Sequence, residues 1–229
     1  NCAVLHFGKD MAGLSAREFM QTVLKDRLNV STLIIGYDNR FGHNRAEGFN
    51  DYVRYGSEMG ITVLHGEPLY VEGIKVSSSV VRRYIVNGDM ENARLCLGRS
   101  YSIEGKVVHG FQNGRKMGFP TANIYMTDSD KLIPSAGVYA VMATVDDSAK
   151  AYPAMMNIGH CPTFNGTSTT LEVHIIGFEG NLYGHSLRVS FLRKMRNEHK
   201  FASPDELARQ LSADRNEALL ICEDELSEE

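Results

Sequence analysis

Cysteine is scarce in this sequence, and its few cysteines form no motif. Four occur among 229 residues, and no two of them are spaced as C-x-x-C. Disulfide frameworks and cysteine-ligated zinc sites rely on closely spaced or paired cysteines. The pattern therefore favours reduced thiols in the cytoplasm over disulfides or a zinc site.

Strong charge, long apolar runs and the common kinase signatures are missing too. The formal net charge is −4, which argues against a general affinity for nucleic acid. No signal peptide occurs, and no apolar run approaches the roughly 18 residues of a membrane span. A G-x-x-x-x-G-K-S/T phosphate loop and an HRD catalytic loop are also absent, which argues against two large kinase classes. We therefore expect neither nucleic acid nor a membrane as a partner.

The first 97 residues alternate between helix and strand patterns. Short apolar, β-branched runs predict strands, and polar caps followed by apolar residues at helical spacing predict helices. The predicted elements are a helix with a capping box at Ser15 and Glu18, strands over 32–35 and 61–64, a helix over 49–59, and a helix that is capped within 77–79 and ends near 88. This order predicts a parallel sheet, whose ligands would bind at the carboxyl ends of its strands.

The pattern changes at Leu97 and Gly98, which we take as the boundary between a first domain, 1–97, and a second, 98–229. Short strands without intervening helices predict an antiparallel barrel or sandwich in the second domain. These strands are predicted over 101–108, 138–145, 152–157, 171–176 and 187–192. A closing helix is predicted from Ser203, which precedes a proline and two acidic residues. The acidic end, 223–229, is expected to be frayed.

Residues 110–123, which read GFQNGRKMGFPTAN, carry the strongest chemical signal. The glycines at 110, 114 and 118 let a backbone approach a phosphate closely, and Arg115 and Lys116 supply positive charge for it. Thr121 and Asn123 lie two apart, so on a strand they face the same way and offer oxygens to Mg²⁺. The segment predicts a nucleotide-phosphate loop, and a glycine hairpin on a solvated edge is the alternative.

Glu172 lies on a strand with strict alternation. In the segment TLEVHI, which starts at Thr170, the apolar residues share one face, and Glu172 and His174 share the other. A half-buried strand with a solvated side explains this alternation by itself. A carboxylate within hydrogen-bond reach of a hydroxyl could also act as a general base. His174 could orient Glu172, but a surface histidine is the simpler interpretation.

The glycine-rich segment and its PTAN ending resemble the nucleotide loop of riboflavin kinases. The resemblance continues downstream in the segments GVY, NIG, PTF, LEVH and LRV, which start at 137, 157, 162, 171 and 187. Upstream, GYDNRFG from Gly36 and SSSVVR from Ser77 resemble motifs in the adenylyltransferase half of bifunctional riboflavin kinase/FAD synthetases. The resemblance implies an α/β plus all-β fold: a partial Rossmann-like nucleotidyltransferase domain, then a small Greek-key β-barrel with a C-terminal helix.

The resemblance also implies roles for individual residues. Glu172 would be the catalytic base that deprotonates the terminal ribityl hydroxyl. ATP would be bound at Gly110, Gly114, Arg115, Gly118, Thr121 and Asn123, with Mg²⁺ held at Thr121 and Asn123. Asn157 and Arg196 would contribute to the flavin site, although a turn residue and a solvated charged loop are simpler explanations of these two. The adenylyltransferase site for ATP and FMN would include Asp38, Arg40, Phe41, Ser77, Ser78, Ser79 and Arg82.

One part of the family pattern is missing. The H-x-G-H signature, which holds the ATP phosphates for adenylyl transfer, does not occur, and the chain opens on Asn1 rather than Met. We therefore expect that the first part of the amino-terminal domain is lacking and that FMN adenylylation by this chain is poor or absent. The family often has Arg directly before the Pro-Thr-Phe segment. Here Cys161 stands at that position, so the role of that arginine is not carried over to this chain.

The expected function is riboflavin kinase, with FMN adenylyltransferase activity in a complete protein. Its partners would be riboflavin, FMN, ATP and FAD, its cofactor Mg²⁺, and its location the cytoplasm. Two other classes remain open from the sequence. One is a flavin- or nucleotide-binding module without turnover, and the other is a nucleic-acid-binding barrel, whose affinity would fall steeply with salt.

Overall fold

The computed structural model describes residues 2–110, 118–126, 128, 130–163 and 166–228. The chain folds into two compact units, Asn1–Tyr70 and Val71–Glu229. The first unit is an α/β arrangement, and the second contains the β-barrel. Among the described residues, no helix combines the length and the apolarity that crossing a membrane requires.

The first unit is built around two parallel strands joined by a helix. Its elements are α1 (Lys9–Ala12), α2 (Ala16–Glu18) with a π-helical continuation (Phe19–Arg27), β1 (Thr32–Gly36), a 3₁₀ turn (His43–Arg45), α3 (Phe49–Met59) and β2 (Thr62–Gly66). The capping box is confirmed: Ser15 Oγ accepts a hydrogen bond from the backbone N–H of Glu18, whose carboxylate accepts one from the backbone of Ser15. The helix α3 ends at Gly60 in the left-handed conformation, where glycine has no steric penalty.

The β1–β2 sheet is covered on one face only. The strands pair in parallel, with Ile34 opposite Leu64. Ile35 is buried in a cluster with Met20 and Tyr52, whereas the Ile34 side is open and that residue is 68% exposed. Parallel sheets are usually buried on both faces. Within this unit, the sheet therefore has one uncovered apolar face.

The second unit contains two helices, a six-stranded barrel and a long C-terminal helix. Its elements, which begin at the unit boundary, are β3 (Tyr70–Val71), β4 (Ile74–Lys75), α4 (Ser78–Asn87), α5 (Met90–Leu97), β5 (Ser102–Val108), β6 (Ala122–Met126), β7 (Gly137–Val145), β8 (Ala151–Thr163), β9 (Gly166–Ile175), β10 (Ser186–Arg196) and α6 (Pro204–Glu228). The barrel closes in the order β10-β5-β6-β9-β8-β7. The expected barrel with a C-terminal helix is confirmed.

The barrel has an inner core and an outer face that α6 partly covers. Leu171, Val173 and Ile175 alternate along β9 and lie in the inner core. On β7, residues of both faces are buried, because Ala140 lies on the outer side in a cluster with Ala218 of α6. Alternation therefore marks β9, and a continuous apolar run marks β7.

The helices α4 and α5 pack against the barrel. Ile85, Met90 and Ala93 belong to the same buried cluster as the barrel interior. The helix α5 is an element that the sequence analysis does not predict, although Asp89 caps its start and Gly98 ends it in the left-handed conformation. The proposed domain boundary after Leu97 stays a prediction.

The acidic C-terminus differs from the expectation. Instead of fraying over 223–229, α6 continues to Glu228. Cys222 is fully buried in this helix, and Glu225 forms an ion pair with Arg94 of α5. These contacts hold the last turns of the helix against the unit.

Candidate active site

Three polar residues lie side by side across neighbouring strands on the outer face of the barrel. Asn123 of β6 is directly opposite Glu172 of β9, and Glu172 is directly opposite Asn157 of β8. Their neighbours along each strand, such as Val173 and Ile158, are buried in the inner core. Side chains alternate along a strand, so the three polar side chains project to the other side of the barrel wall.

Thr121 completes this row from the segment just before β6. Its hydroxyl donates a hydrogen bond to Glu172 Oε2 at 3.3 Å, although the two residues are 51 positions apart. The structure therefore brings the PTAN segment and the predicted base into direct contact. The carboxylate of Glu172 lies beside a hydroxyl and an amide.

His174 lies on the same face of β9 but is not the surface histidine that the sequence suggested. It is only 8% exposed, and its Nδ1 lies 2.9 Å from the carbonyl oxygen of Pro120. A carbonyl can only accept, so Nδ1 carries the hydrogen and donates it. Burial holds the pKa of His174 below its usual value, and the positive charge of Arg215 lowers it further, while the bond to Pro120 opposes them.

The side chain of Asn123 approaches Gly110 closely. A β-carbon on Gly110 would overlap the side-chain amide of Asn123. Gly118, at the other end of the predicted loop, has φ +84°, a conformation that favours glycine. Two other predicted ATP-binding residues, Gly114 and Arg115, lie outside the described residues.

A cavity of about 280 Å³ is lined by three of these polar residues, Thr121, Asn157 and Glu172. Its lining combines these polar side chains with apolar and aromatic groups. The lining residues are Phe119, Thr121, Val138, Met155, Asn157, Glu172, His174, Arg196, Glu198, His199, Phe201, Leu207 and Leu211. Asn157 donates a hydrogen bond from Nδ2 to Glu198 at 3.4 Å, which ties the segment after β10 to the barrel.

Arg196 is held at the wall of this cavity by a buried carboxylate. Its Nε and Nη2 donate to both oxygens of Asp214 on α6, at 2.7 to 3.1 Å. Asp214 is 1% exposed and also accepts from Gln210 at 2.8 Å. The guanidinium carbon lies 5.7 Å from the centre of the Phe201 ring. Arg196 therefore lines the cavity and joins β10 to α6.

A second cavity, of about 560 Å³, borders the first at Thr121. Inner-core residues of three strands form its floor, and the segment between β9 and β10 forms one wall. Its lining is Val107, Pro120, Thr121, Ala122, Val173, Ile175, Phe178, Gly180, Asn181, Leu182 and Tyr183. The rings of Tyr183 and His109 stack with their centres 3.8 Å apart. An aromatic surface thus stands next to Gly110.

The residues predicted for adenylyl transfer are divided between the two units. In the second unit, Ser77 caps α4 by accepting from Val80 N–H at 3.3 Å, and Ser78, Ser79 and Arg82 follow in the first turns. A cavity of about 460 Å³ lies beside Ser77, Ser78 and Arg82.

Asp38, Arg40 and Phe41 lie in the first unit, after β1. The Phe41 ring stacks on Tyr52 with a centroid distance of 4.4 Å, and the hydroxyl of Tyr52 accepts from the backbone N–H of Phe41. Arg40 and Phe41 line a cavity of about 440 Å³ within this unit.

Sequence reasoning assigned no individual role to Glu198, which lines the smaller cavity, or to Asp214, which binds Arg196 at its wall. Glu198 and Asp214 carry no motif, and they reach the site only because the segment after β10 and helix α6 fold back on the barrel. His174 had a signal, since it shares the face of Glu172, but strand alternation gives no information about what covers that face.

Comparisons with known proteins agree with this geometry. A family model described as riboflavin kinase matches residues 97–222, and one described as FAD synthetase matches residues 1–80. The bifunctional riboflavin kinase/FMN adenylyltransferase of Pseudomonas fluorescens is 37% identical over 211 residues, which cover 92% of this chain and 67% of that protein. Its counterpart in Escherichia coli strain K12 is 36% identical over 210 residues, which cover 92% of this chain and 66% of that protein.

A solved structure has a similar fold. The crystal structure of a macrolide-efflux protein from Streptococcus pneumoniae matches with a TM-score of 0.84 and 33% identity, covering 92% of this chain and 66% of that one. The chain spans about two thirds of the length of the curated relatives that it matches. With matches to the riboflavin kinase model over more than half its length and to bifunctional relatives over nearly all of it, this chain belongs to the riboflavin kinase/FMN adenylyltransferase family.

Proposed function

We propose that the protein is a riboflavin kinase, which transfers the γ-phosphate of ATP to the terminal ribityl hydroxyl of riboflavin and forms FMN and ADP. The observation that carries this proposal is the contact between Thr121 and Glu172 at the border of two cavities. A phosphate donor and an alcohol acceptor need separate binding sites that meet at one point. Both candidate sites here meet beside a carboxylate.

The larger cavity suits the nucleotide. Pro120 and Thr121 of the predicted phosphate-binding segment line it. Tyr183, which also lines it and stacks on His109, offers a flat surface for a base. Glycines allow the backbone to approach phosphates closely. We assign the kinase function to the domain predicted over 98–229.

The smaller cavity suits the flavin. Phe119 and Phe201 supply apolar ring surfaces, and Asn157 and Arg196 supply polar groups at its wall. Ligand pockets commonly combine apolar walls with a few placed polar groups. The ribityl chain would then extend towards Glu172, which lines the same cavity.

Glu172 would act as the general base. As the ribityl oxygen attacks the γ-phosphorus, its proton passes to the Glu172 carboxylate, and the bond between the γ-phosphorus and the bridging oxygen breaks to release ADP. A positioned base typically contributes about 10²- to 10⁴-fold in rate. The remaining catalysis comes from positioning and from donors around the transferred group.

Mg²⁺ fits the oxygens that the PTAN segment presents. Thr121 and Asn123 offer a hydroxyl and an amide oxygen on one face, beside the Glu172 carboxylate. Across the part of the chain that is described, no three His, Cys, Asp or Glu side chains gather as a metal cage. Mg²⁺ commonly binds through one or two protein oxygens together with substrate phosphates. When bound, it would neutralise charge on the phosphates, and Thr121 and Asn123 would orient it.

The adenylyltransferase reaction, in which FMN and ATP give FAD and pyrophosphate, would need an H-x-G-H turn together with residues of this chain. Ser77, Ser78, Ser79 and Arg82 would bind the triphosphate at the start of α4, where backbone N–H groups are free of helical partners. Asp38, Arg40 and Phe41 would line the flavin-nucleotide side. We further propose a cytoplasmic location, which the free thiols of Cys2, Cys96 and Cys222 support.

Chromatographic separation of flavins after incubation with riboflavin and MgATP tests the kinase function. The expected result is FMN formed in step with ADP. A protein that binds riboflavin, as measured by fluorescence quenching, but forms no FMN would instead be a binding module. The same assay with FMN and ATP should give little or no FAD with this chain.

A further inference from the structure

Two buried polar side chains stand out among the described residues, His174 and Asp214, and the proposed chemistry uses neither directly. His174 lines the smaller cavity, and Asp214 binds Arg196, which also lines this cavity. His174 acts on the segment that carries Thr121, next to the proposed reaction centre.

Two contacts anchor the two residues that precede Thr121. Phe119 is buried in a cluster with Met155 and Ala218, and its ring meets the His174 ring edge-on with centres 5.5 Å apart. The next residue, Pro120, has no N–H, so its carbonyl is its only backbone hydrogen-bonding group. That carbonyl accepts from His174 Nδ1 at 2.9 Å.

The same strand carries both the anchor and the base. His174 and Glu172 are two residues apart on β9, so both project to the outer face. His174 binds the residue before Thr121, and Glu172 accepts from Thr121 itself. Two hydrogen bonds therefore join β9 to adjacent residues of the PTAN segment, and the shorter one is made by the buried ring.

We propose that His174 is a positioning residue for phosphoryl transfer: by donating from Nδ1 to the Pro120 carbonyl, it fixes the distance between Thr121 and the Glu172 carboxylate. This role rests on the proposed riboflavin kinase function. It requires one tautomer, with hydrogen on Nδ1 and a lone pair on Nε2. It also requires that His174 affects turnover through Thr121 rather than by touching the substrate.

The tautomer can be measured in the unmodified protein. Nitrogen-15 NMR of histidine-labelled protein at pH 8 should show His174 with Nδ1 protonated and Nε2 unprotonated. A resonance with the hydrogen on Nε2 would overturn the proposal, because that tautomer cannot donate to Pro120. This measurement needs no activity and no variant, so it decides the hydrogen bond even where a substitution unfolds the protein.

Variants test the effect on turnover. His174→Leu removes the donor, and His174→Asn keeps a donor at the equivalent δ position. We expect kcat of the leucine variant to fall by about 10- to 100-fold, since a small displacement of a catalytic group can cost up to that much. KM for ATP and for riboflavin should change little. The asparagine variant should recover most of kcat. Equal rates for wild type and the leucine variant would overturn the positioning role.

A double-mutant cycle with Thr121→Val separates positioning from a general loss of structure. If His174 acts through Thr121, the two losses overlap. The double variant then retains a larger fraction of the wild-type kcat than the product of the fractions that the two single variants retain. Independent, multiplying losses would refute the route through Thr121. A wild type that forms no FMN would overturn the kinase function and this role together, whereas an active wild type matched by His174→Leu would overturn this role alone.

Discussion

Asn123 and Glu172 lie directly opposite each other on the paired strands β6 and β9. The pairing places an amide next to a carboxylate that also accepts a hydrogen bond from the hydroxyl of Thr121. An antiparallel pair holds facing side chains within about 5.5 Å at their β-carbons. The separation of Asn123 and Glu172 is therefore set by strand register, which is a rigid feature of the barrel.

Replacing Glu172 by Gln should abolish most turnover while leaving the barrel intact. The amide keeps the size of the side chain but cannot take the ribityl proton. We expect kcat to fall by about 10²- to 10⁴-fold, with riboflavin binding retained. Steady-state FMN formation measures the first effect and flavin fluorescence the second.

Glu104→Gln is the matched control for that experiment. Glu104 lies on the outer face of β5, where it forms an exposed ion pair with Arg188. Its variant should keep the wild-type rate. If Glu172→Gln also kept that rate, the base would have to be another group.

Gly110→Ala should disturb the phosphate-binding end of the site. The added methyl would overlap the Asn123 amide, so either the backbone or Asn123 must move. A displacement of this kind can lower kcat by up to about 10²-fold. The comparison is with Gly48→Ala, where φ is −118° and a β-carbon would meet nothing within 4 Å. A fully active Gly110→Ala protein would show that Asn123 has room to shift.

Asp214→Ala should strongly destabilise the second unit. It leaves the Arg196 guanidinium, itself only 20% exposed at the side chain, without its bidentate partner. Removing one member of a buried pair costs about 3–5 kcal/mol. Urea unfolding measures this loss, and Glu104→Ala provides the exposed-pair comparison, which should cost below about 1 kcal/mol. Similar losses in the two variants would mean that burial of the Arg196–Asp214 pair does not increase its contribution to the free energy of unfolding.

The stability of the protein should depend on pH through His174. Burial lowers the pKa of His174 in the folded state below that of the unfolded chain, about 6.5. The neutral ring therefore stabilises the fold above pH 6.5, and this contribution is lost as the pH falls below that value, because the unfolded chain then binds more protons.

Melting temperatures at pH 7.5 and 5.5 test this dependence. The decrease on acidification should be larger for wild type than for His174→Asn, which has no imidazole to protonate. Equal decreases would indicate that His174 does not titrate differently in the folded and unfolded states.

Local patterns in the sequence determined most of the elements and the key motif. The capping box at Ser15, the end of α3 at Gly60 and the alternation around Glu172 each depend on residues within one or two turns or strand steps, so they can be recognised without a fold. The glycines and the PTAN ending indicated a phosphate site for the same reason. These features follow from backbone sterics and side-chain periodicity.

Only the tertiary structure decided which of these residues meet. The register that sets Asn123 against Glu172, the burial of His174 under the Phe119 cluster, and the reach of Asp214 from α6 to Arg196 all join positions far apart in the chain. Periodicity fixes which face a side chain takes, but not which strand lies beside it or which helix covers it. Those depend on how the barrel closes and where α6 packs, and these arrangements result from the burial of the whole core.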